Sequence, residues 1–224
     1  MVDTTSRYSL LMNELEGYKA EIFMLQEVDR SFFDSFLKEF LEQIGYNSHF
    51  LPKGNASQGD SQDGLVTAYN NKFQFVSDDS ARLGEESALP TNNDVAKVYN
   101  KNKKERAFFE GRKTVLQLIT LRERTRKKIL VVGNVHLHRN VDHKYCTLLQ
   151  TVLSVRLISR HIKALQKKTE KSAPPQVIFG GDFNSTPESA VIEFLQEGKV
   201  RLSAPSAANF SCKKMKKLSE DTDF

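Results

Sequence analysis

The segment Val177–Pro187, with the sequence Val-Ile-Phe-Gly-Gly-Asp-Phe-Asn-Ser-Thr-Pro, decides the predicted fold of this chain. Its apolar start, rich in β-branched and aromatic residues, stops at two glycines, which is typical of a buried strand that enters a tight loop. The carboxyl end of that strand presents Asp182 and Asn184, and ligands collect at such ends in layered α/β proteins. The pair can bind a hydrated cation, position a water molecule or hold a phosphate. The alternative is an Asx turn that only caps the following helix.

Polar side chains also follow two other apolar runs. Glu27 comes directly after a strand predicted at residues 21–26, and Asn134 and His136 lie near the end of a strand predicted at residues 129–137. A lone glutamate at a strand end is more often a surface carboxylate than a ligand, and a lone histidine is more often structural. Because three strand ends all deliver polar groups, the sequence nevertheless favours one shared site.

Phosphoryl chemistry fits this set of residues. A hard cation such as Mg²⁺ prefers oxygen ligands, often one or two carboxylates with waters and phosphate oxygens, and Glu27 is the best candidate ligand. Asp182 could orient or deprotonate the attacking water while Asn184 holds it in line. His136 could donate a hydrogen bond to a phosphate oxygen.

Composition indicates one soluble globular domain. The chain has 224 residues, of which 27% are charged and 39% hydrophobic, and no window approaches the roughly 18 consecutive apolar residues that span a bilayer. Its start lacks both a secretory core and an Arg-rich transit pattern. Cys146 and Cys212 provide neither a disulfide framework nor metal-ligand spacing, so we expect a reducing, intracellular compartment. The net charge of +5 fits a polyanionic partner such as nucleic acid, although only weakly.

Hydrophobic periodicity predicts alternating helices and strands. Helices are expected at residues 6–19, 31–44, 143–168 and 190–196, the second opened by a capping box of Ser31 and Asp34. Further strands are expected at residues 65–69, 73–76 and 115–121, the last forming a hairpin with the strand at 129–137. Two polar stretches are predicted to be loops, residues 46–62 and a long surface excursion at 77–111 with at most one short helix.

Four motifs occur in the order that a known superfamily carries them. They are Leu25–Asp29 (Leu-Gln-Glu-Val-Asp), Asp63–Val66, Asn134–Leu137 and Gly181–Pro187. On these motifs the chain resembles the endonuclease/exonuclease/phosphatase superfamily over about residues 7–200, and within it the branch of deadenylases and 2′,5′-phosphodiesterases. The resemblance implies a four-layer α/β sandwich of two facing sheets. It also implies Mg²⁺-dependent phosphodiester hydrolysis at the edge that the sheets share.

The resemblance implies a role for each candidate residue. Glu27 would be the metal ligand, and Asp182 and Asn184 would handle the attacking water and the transition state. His136 would act on the phosphate side. Asn134, in the Asn-Val-His motif, is assigned to substrate binding. These roles agree with those inferred from the residues alone, but they are not independent evidence for them.

Three features of the superfamily have no counterpart in this sequence. The family's first strand carries an asparagine ahead of the first helix, and the family ends with an Asp-containing strand and a Ser-Asp-His motif. Nothing after Pro187 supplies the latter two, and no histidine follows His161. We therefore expect a sandwich that is incomplete at both ends, with a partial domain at residues 1–200 and a poorly ordered basic tail at 201–224. Low activity, or none, is expected of such a chain.

Three classes of function remain open. The first is a Mg²⁺-dependent 3′-exoribonuclease that removes poly(A) or degrades 2′,5′-oligoadenylate, with RNA or the oligoadenylate as substrate. The second is a non-catalytic fragment that binds nucleic acid or a protein through its basic surface. The third is a phosphatase of the same superfamily, because one fold hosts several substrates. The resemblance implies a mitochondrial or cytoplasmic location without membrane association.

Overall fold

The computed structural model describes residues 4–53, 63–99, 103–138, 145–168, 173–201 and 209–211. Within them the chain builds two large sheets. The first is antiparallel, in the order β1-β3-β2, and its strands are β1 (Ile22–Asp29), β2 (Tyr46–Pro52) and β3 (Asp63–Asn70). The second sheet has the order β4-β6-β7-β8, and its strands are β4 (Phe73–Asp78), β6 (Val115–Glu123), β7 (Ile129–His136) and β8 (Gln176–Asp182).

Pairing in the second sheet is mixed. Strands β6 and β7 form the predicted antiparallel hairpin, with Arg122 opposite Ile129 next to the turn. Strand β8 instead runs parallel to β7, so the carboxyl ends of these two strands meet at one edge. The short β5 (Ala81–Arg82) also pairs with β6, and β9 (Lys199–Arg201) pairs with β10 (Asn209–Ser211) as a separate ribbon.

Helices cover the outer face of each sheet. Against the first lie α1 (Thr4–Tyr18), α2 (Arg30–Phe32), a π-helical turn (Phe33–Leu37) and α3 (Lys38–Gln43). Against the second lie α4 (Leu83–Ser87), a 3₁₀ turn (Pro90–Asn92), α5 (Asn93–Tyr99), α6 (Lys103–Glu110), α7 (Cys146–Lys168) and α8 (Ala190–Glu197). Among the described residues, no helix combines the length and the apolar character needed to cross a bilayer.

The apolar core lies in three layers, which follow from the stacking of helices on sheets. One cluster packs α1–α3 against the first sheet, and another packs α7 and α8 against the second. A third lies between the two sheets and is formed by Tyr69, Phe73, Ile119, Leu121 and Val132. The architecture is therefore a four-layer α/β sandwich, which confirms the predicted fold class.

The loop predicted at residues 46–62 is wrong over its first half, because residues 46–52 form β2. This strand pairs with β3 over its whole length, from Tyr46 opposite Asn70 to Pro52 opposite Gly64. Its polar composition hid it, since the pairing that stabilises it comes from residues distant in sequence. Residues 54–62 lie outside the described residues.

The surface excursion predicted at residues 77–111 is also wrong, because this segment is part of the core. Leu83, Val95 and Phe109 are buried against the second sheet and α7. Arg156 on α7 binds Asp94 through both Nη atoms, at 2.8 and 2.6 Å, and its hydrogen bonds hold the pKa of that carboxyl below its ordinary value. Helices of five to eight residues are too short for a period to show in the sequence.

Three smaller expectations change. The helix after β1 is capped by Asp29, which accepts from the backbone amides of Ser31 and Phe32, and not by a capping box at Ser31. Strand β8 is not buried, because it stands at the end of the strand order, and Ile178 is 39% exposed. In the predicted tail, residues 209–211 form β10, whereas residues 202–208 and 212–224 lie outside the described residues, so the domain boundary stays a prediction.

Candidate active site

The ends of β1, β7 and β8 meet at one cavity of about 640 Å³. Its lining includes Glu27, His136, Asp182 and Asn184, four of the five residues singled out in the sequence. His136 and Asp182 are paired residues at the last step of the parallel β7–β8 ladder, so they are neighbours by register. The packing of the two sheets then brings Glu27 to the same place, because β1 contacts both β7 and β8.

Glu27 is presented by a bulge in β1. The register of β1 against β3 shifts between Leu25 and Val28, and Glu27 adopts a left-handed backbone conformation with φ of +55°. A residue other than glycine takes this conformation only when its surroundings impose it, and such strain concentrates at functional sites. The bulge leaves the Glu27 side chain 74% exposed at the cavity.

Asp182 and Asn184 are fixed by a tight turn after β8. Gly181, with φ of +127°, lets β8 approach β7 so closely that an added Cβ would lie 2.0 Å from the carbonyl oxygen of Val135. Asp182 Oδ1 accepts from the Asn184 amide at 2.8 Å, and Asn184 Nδ2 donates to the carbonyl of Leu137 at 2.7 Å. Asn184 can therefore offer a substrate its Oδ1 acceptor and its second N–H.

The Asx turn considered from the sequence is thus present, but it does not cap a helix. Helix α8 begins later, and Ser189 caps it by accepting from the amide of Ile192. The same turn places Asp182 and Asn184 at the cavity, so an Asx turn and a functional site occur together in this stretch.

His136 lies between the two carboxylates and a lysine. Lys53 Nζ is 2.7 Å from His136 Nδ1, and because an ammonium group only donates, Nδ1 is the acceptor. A neutral His136 ring then carries its proton on Nε2. Nε2 lies 4.0 Å from Glu27 Oε1 and 3.7 Å from Asp182 Oδ2, beyond a direct hydrogen bond. An oxygen atom of a ligand could sit between them.

Cationic side chains line the other wall of the cavity. Lys53 also forms an ion pair with Asp63 at 2.8 Å, which holds it beside His136. Arg112 lies over the Phe108 ring, 4.0 Å from its centroid, and Lys113 is next to it. The cavity is therefore lined by two carboxylates, an imidazole and several cationic side chains. This arrangement suits a phosphate ester.

The donor set fits a hard cation only in part. Among the described residues, no group of three or more His, Cys, Asp or Glu side chains is arranged to hold an ion. Glu27 and Asp182 nevertheless bring two carboxylates to one cavity. Mg²⁺ is commonly bound by one or two carboxylates, with waters and phosphate oxygens as its other ligands.

Comparison with known proteins identifies the family. The model of the Endonuclease/Exonuclease/phosphatase family matches residues 2–214. The chain belongs to this family. The resemblance inferred from the four sequence motifs is therefore confirmed.

Two relatives and one solved structure illustrate the similarity. The chain is 31% identical over 197 residues to 2′,5′-phosphodiesterase 12 of Mus musculus, covering 87% of the chain and 30% of that protein. It is 28% identical over 207 residues to the probable CCR4-Not complex 3′-5′-exoribonuclease subunit Ccr4 of Enterocytozoon bieneusi (strain H348), covering 89% of the chain and 40% of that protein. The structure of ANGEL2, a 2′,3′-cyclic phosphatase, in complex with adenosine-2′,3′-vanadate superposes with a TM-score of 0.69 at 19% identity, over 99% of the chain and 54% of that structure.

The chain covers only part of each of these proteins. It spans between about a third and two fifths of the length of the two relatives, 30% and 40% respectively. The likeness to the ANGEL2 structure, at 19% identity, shows that the chain shares its fold.

Asn134 is the one predicted site residue that does not line the cavity. It is fully buried between the two sheets, two residues before His136 on β7. Its Oδ1 accepts from Gln26 Nε2 at 2.8 Å, and its Nδ2 donates to the carbonyls of Leu25 and Val66 at 3.3 and 3.2 Å. Because its amide is occupied inside the protein, its position does not support the expectation that Asn134 contacts substrate.

Sequence reasoning missed Lys53 and Arg112. Lys53 follows β2, which was mistaken for a loop, and Arg112 comes directly after residues 77–111, which were mistaken for a surface excursion. The partly alternating pattern of Tyr46–Leu51 was a signal for the first. For the second, the signal was the buried strand that starts at Val115, because residues just before a strand also lie at its sheet edge.

Cys146 is not a candidate nucleophile. It is buried at the start of α7, and this burial raises the pKa of its thiol to about 12. The thiolate, which is the reactive form, is therefore scarce at neutral pH. Cys146 therefore supplies no nucleophile that would rival the residues of the cavity.

Proposed function

We propose that this chain carries the phosphate-binding and hydrolytic site of a metal-dependent phosphodiesterase that acts on adenylate-rich RNA 3′ ends or on 2′,5′-oligoadenylate. The observation that carries the proposal is the convergence of Glu27, His136 and Asp182 at one cavity, with Lys53 and Arg112 on its wall. The similarity to a 2′,5′-phosphodiesterase and to a probable 3′-5′-exoribonuclease subunit supports the substrate class.

Mg²⁺ is the proposed metal, with Glu27 as its protein ligand. When bound, a divalent ion supplies Lewis-acid stabilisation of the charge on the phosphoryl group and its leaving oxygen. Enzymes of this family are generally divalent-metal dependent, and exposed oxygen donors at Glu27 and Asp182 suit such an ion. The preference for Mg²⁺ over other divalent ions is part of the proposal.

The protein side chains divide the remaining work. Asp182 accepts a proton from the attacking water, and Asn184 Oδ1 orients that water toward phosphorus. The N–H of His136 Nε2 donates to a non-bridging phosphate oxygen, whose charge Arg112 also offsets. The bond from phosphorus to the preceding ribose oxygen then breaks, and that oxygen takes a proton from solvent to become a hydroxyl. The terminal nucleotide leaves as AMP, and Asp182 returns its proton to solvent.

The test is a panel of four substrates in the presence of Mg²⁺. These are 2′,5′-linked oligoadenylate, 3′,5′ poly(A), abasic duplex DNA and an inositol phosphate. We expect AMP from the first two only, and none from Glu27→Gln. The assay is run with protein in excess over substrate, so that a single slow turnover is also detected.

Two outcomes would replace the proposal. Release of phosphate from inositol phosphate alone would favour the phosphatase alternative. Binding of poly(A) without hydrolysis, equal for the original chain and Glu27→Gln, would favour a non-catalytic nucleic-acid-binding role. The cellular compartment is not addressed by this experiment and stays a prediction.

A further inference from the structure

The left-handed backbone conformation of Glu27 must be held by neighbouring groups. Next to it, the side-chain amides of Gln26 and Asn134 form a hydrogen-bonded pair. Gln26 is the bulge neighbour of Glu27, and its side chain points into the space between the sheets, where it meets Asn134 of β7. The pair joins residues 108 positions apart in sequence. It therefore links the strand that carries Glu27 to the strand that carries His136.

The contacts of this pair reach the bulge, the neighbouring strand β3 and, through Asn134 Nδ2 at 3.5 Å from Gln117 Oε1, strand β6. Gln26 Nε2 donates to Met24 O at 2.9 Å and to Asn134 Oδ1 at 2.8 Å. Asn134 Nδ2 donates to Leu25 O at 3.3 Å, directly before the bulge, and to Val66 O on β3 at 3.2 Å. Turning the Asn134 amide round would place its oxygen against two carbonyl oxygens, so the partners fix its orientation.

Burial makes these contacts effective. Asn134 is fully buried, and an amide that loses its partner in such a place keeps the whole cost of its desolvation. A bulge that relaxed to regular pairing would remove Gln26 from Asn134 and impose that cost. The same relaxation would move the Glu27 side chain, because a shift of one residue in a strand sends its side chain to the opposite face.

We propose that Gln26 and Asn134 are positioning residues that hold the β1 bulge and so fix the direction of the Glu27 carboxylate in the cavity. The part that concerns metal binding rests on the proposed function. The part that concerns the bulge does not, since the hydrogen bonds exist within the protein alone.

The experiment compares Gln26→Met with Thr67→Val in the 224-residue chain. Methionine keeps the length and apolar bulk of glutamine but cannot donate to Asn134. Thr67 is the matched control: it is buried in the same polar layer, but its hydroxyl donates to Gln117 Oε1, at 2.7 Å, and not to Gln26 or Asn134. Two quantities are measured, Mg²⁺ affinity by isothermal titration and amide hydrogen exchange of Leu25–Val28 without metal.

Gln26→Met should weaken Mg²⁺ binding by about 10-fold or more, the usual effect of removing a group that orients a metal ligand. It should also speed amide exchange at the bulge, while Thr67→Val leaves both quantities near those of the original chain. Equal losses of Mg²⁺ affinity in both variants would overturn the proposal, because they would reflect general loosening. Unchanged exchange at the bulge in Gln26→Met would overturn it as well.

Failure of the proposed function has a different signature. If the original chain binds no Mg²⁺, the metal role of Glu27 is wrong, and the exchange of Leu25–Val28 alone decides whether Gln26 and Asn134 hold the bulge. Circular dichroism checks folding first. Should Gln26→Met not fold, Gln26→Ser replaces it, because the shorter, uncharged side chain cannot reach Asn134 Oδ1.

Discussion

Two groups of polar side chains lie close together in the fold, sharing strand β7, and they are built in opposite ways. The inter-sheet group, Thr67, Gln117 and Asn134, is fully buried, and its members hydrogen-bond to each other and to nearby carbonyls. The cavity group is Glu27, His136 and Asp182. Its carboxylates are 74% and 50% exposed, and they lie 4.0 and 3.7 Å from the imidazole.

The difference in burial and in hydrogen bonding indicates that the inter-sheet group stabilises the fold, whereas the cavity group is available to a ligand. Polar groups that are satisfied inside the protein contribute to folding and would be costly to remove. Groups that converge on a cavity without closing on each other keep their donors and acceptors for a ligand. Along β7, two residues separate the groups, from Asn134 to His136. On β1, Glu27 is next to Gln26, which hydrogen-bonds to Asn134 of the inter-sheet group.

The largest loss of stability should come from Gly181→Ala, which disturbs the pairing of β8 with β7, the strand that carries residues of both groups. Gly181 has a φ of +127°, and an added Cβ would lie 2.0 Å from Val135 O, so β8 would have to move away from β7. We expect unfolding to become easier by about 4 kcal/mol. Chemical denaturation measures this.

The control for that change is Gly17→Ala. Gly17 lies in α1, and an added Cβ there would meet nothing within 4 Å. Alanine favours helix over glycine by up to about 1 kcal/mol, so this variant should be slightly more stable than the original chain. A similar loss in both variants would show that the glycine-dependent approach of β8 to β7 is not what holds the edge.

Removing the centre of the inter-sheet group should have the next largest effect. Asn134→Ala deprives Gln26 Nε2 and the carbonyls of Leu25 and Val66 of their partner. The expected loss is about 3 kcal/mol of unfolding free energy, because these groups remain buried. The denaturation midpoint, with an unchanged slope, checks it. A loss below that of Thr67→Val would mean that water replaces the missing amide.

The sequence predicted those parts of the fold that local patterns determine. The strand and turn of Val177–Pro187, the hairpin of β6 and β7 and the long helix α7 each have a strong apolar pattern and recognisable ends. Strand β2 and helices α4–α6 were missed because distant partners stabilise them. Asp94, for example, gains its partner Arg156 only in the folded chain.

In the candidate site too, the residues that local patterns identify were predicted, and those that depend on tertiary packing were not. Glu27, His136, Asp182 and Asn184 were predictable because strand ends and motif order identify them, and the structure gathers them at one cavity. The burial of Asn134 was not predictable, because a polar residue two positions before a strand end can face either side of the sheet. Only the packing of one sheet on the other decides which face of β7 is buried between the sheets.

A smaller change tests whether Lys53 sets the proton position on His136. Lys53→Met removes the donor 2.7 Å from Nδ1 and the ion pair with Asp63, with an expected stability loss of about 1–2 kcal/mol. Without that donor, the neutral ring can carry its proton on either nitrogen. Long-range ¹H–¹⁵N NMR of His136 should change from the Nε2–H form toward a mixture of the two forms.

The matched control for Lys53→Met is Lys113→Met, which removes a cation from the same cavity. It should leave the His136 ring in the Nε2–H form, because the charge it removes is not the Nδ1 donor. If both variants keep that form, the hydrogen bond from Lys53 does not determine the tautomer.

The smallest effect on stability, and the largest on ligand binding, is expected for Glu27→Gln. The Glu27 side chain is 74% exposed and 4.0 Å from its imidazole neighbour, so losing its charge should change the unfolding free energy by less than about 0.5 kcal/mol. The heat of Mg²⁺ binding should disappear, because the proposed ligand is gone. Glu42→Gln, an exposed carboxyl on α3, is the control and should change neither quantity. Unaltered Mg²⁺ binding by Glu27→Gln would remove Glu27 from the site, whereas a stability loss as large as that of Asn134→Ala would show that the cavity group also supports the fold.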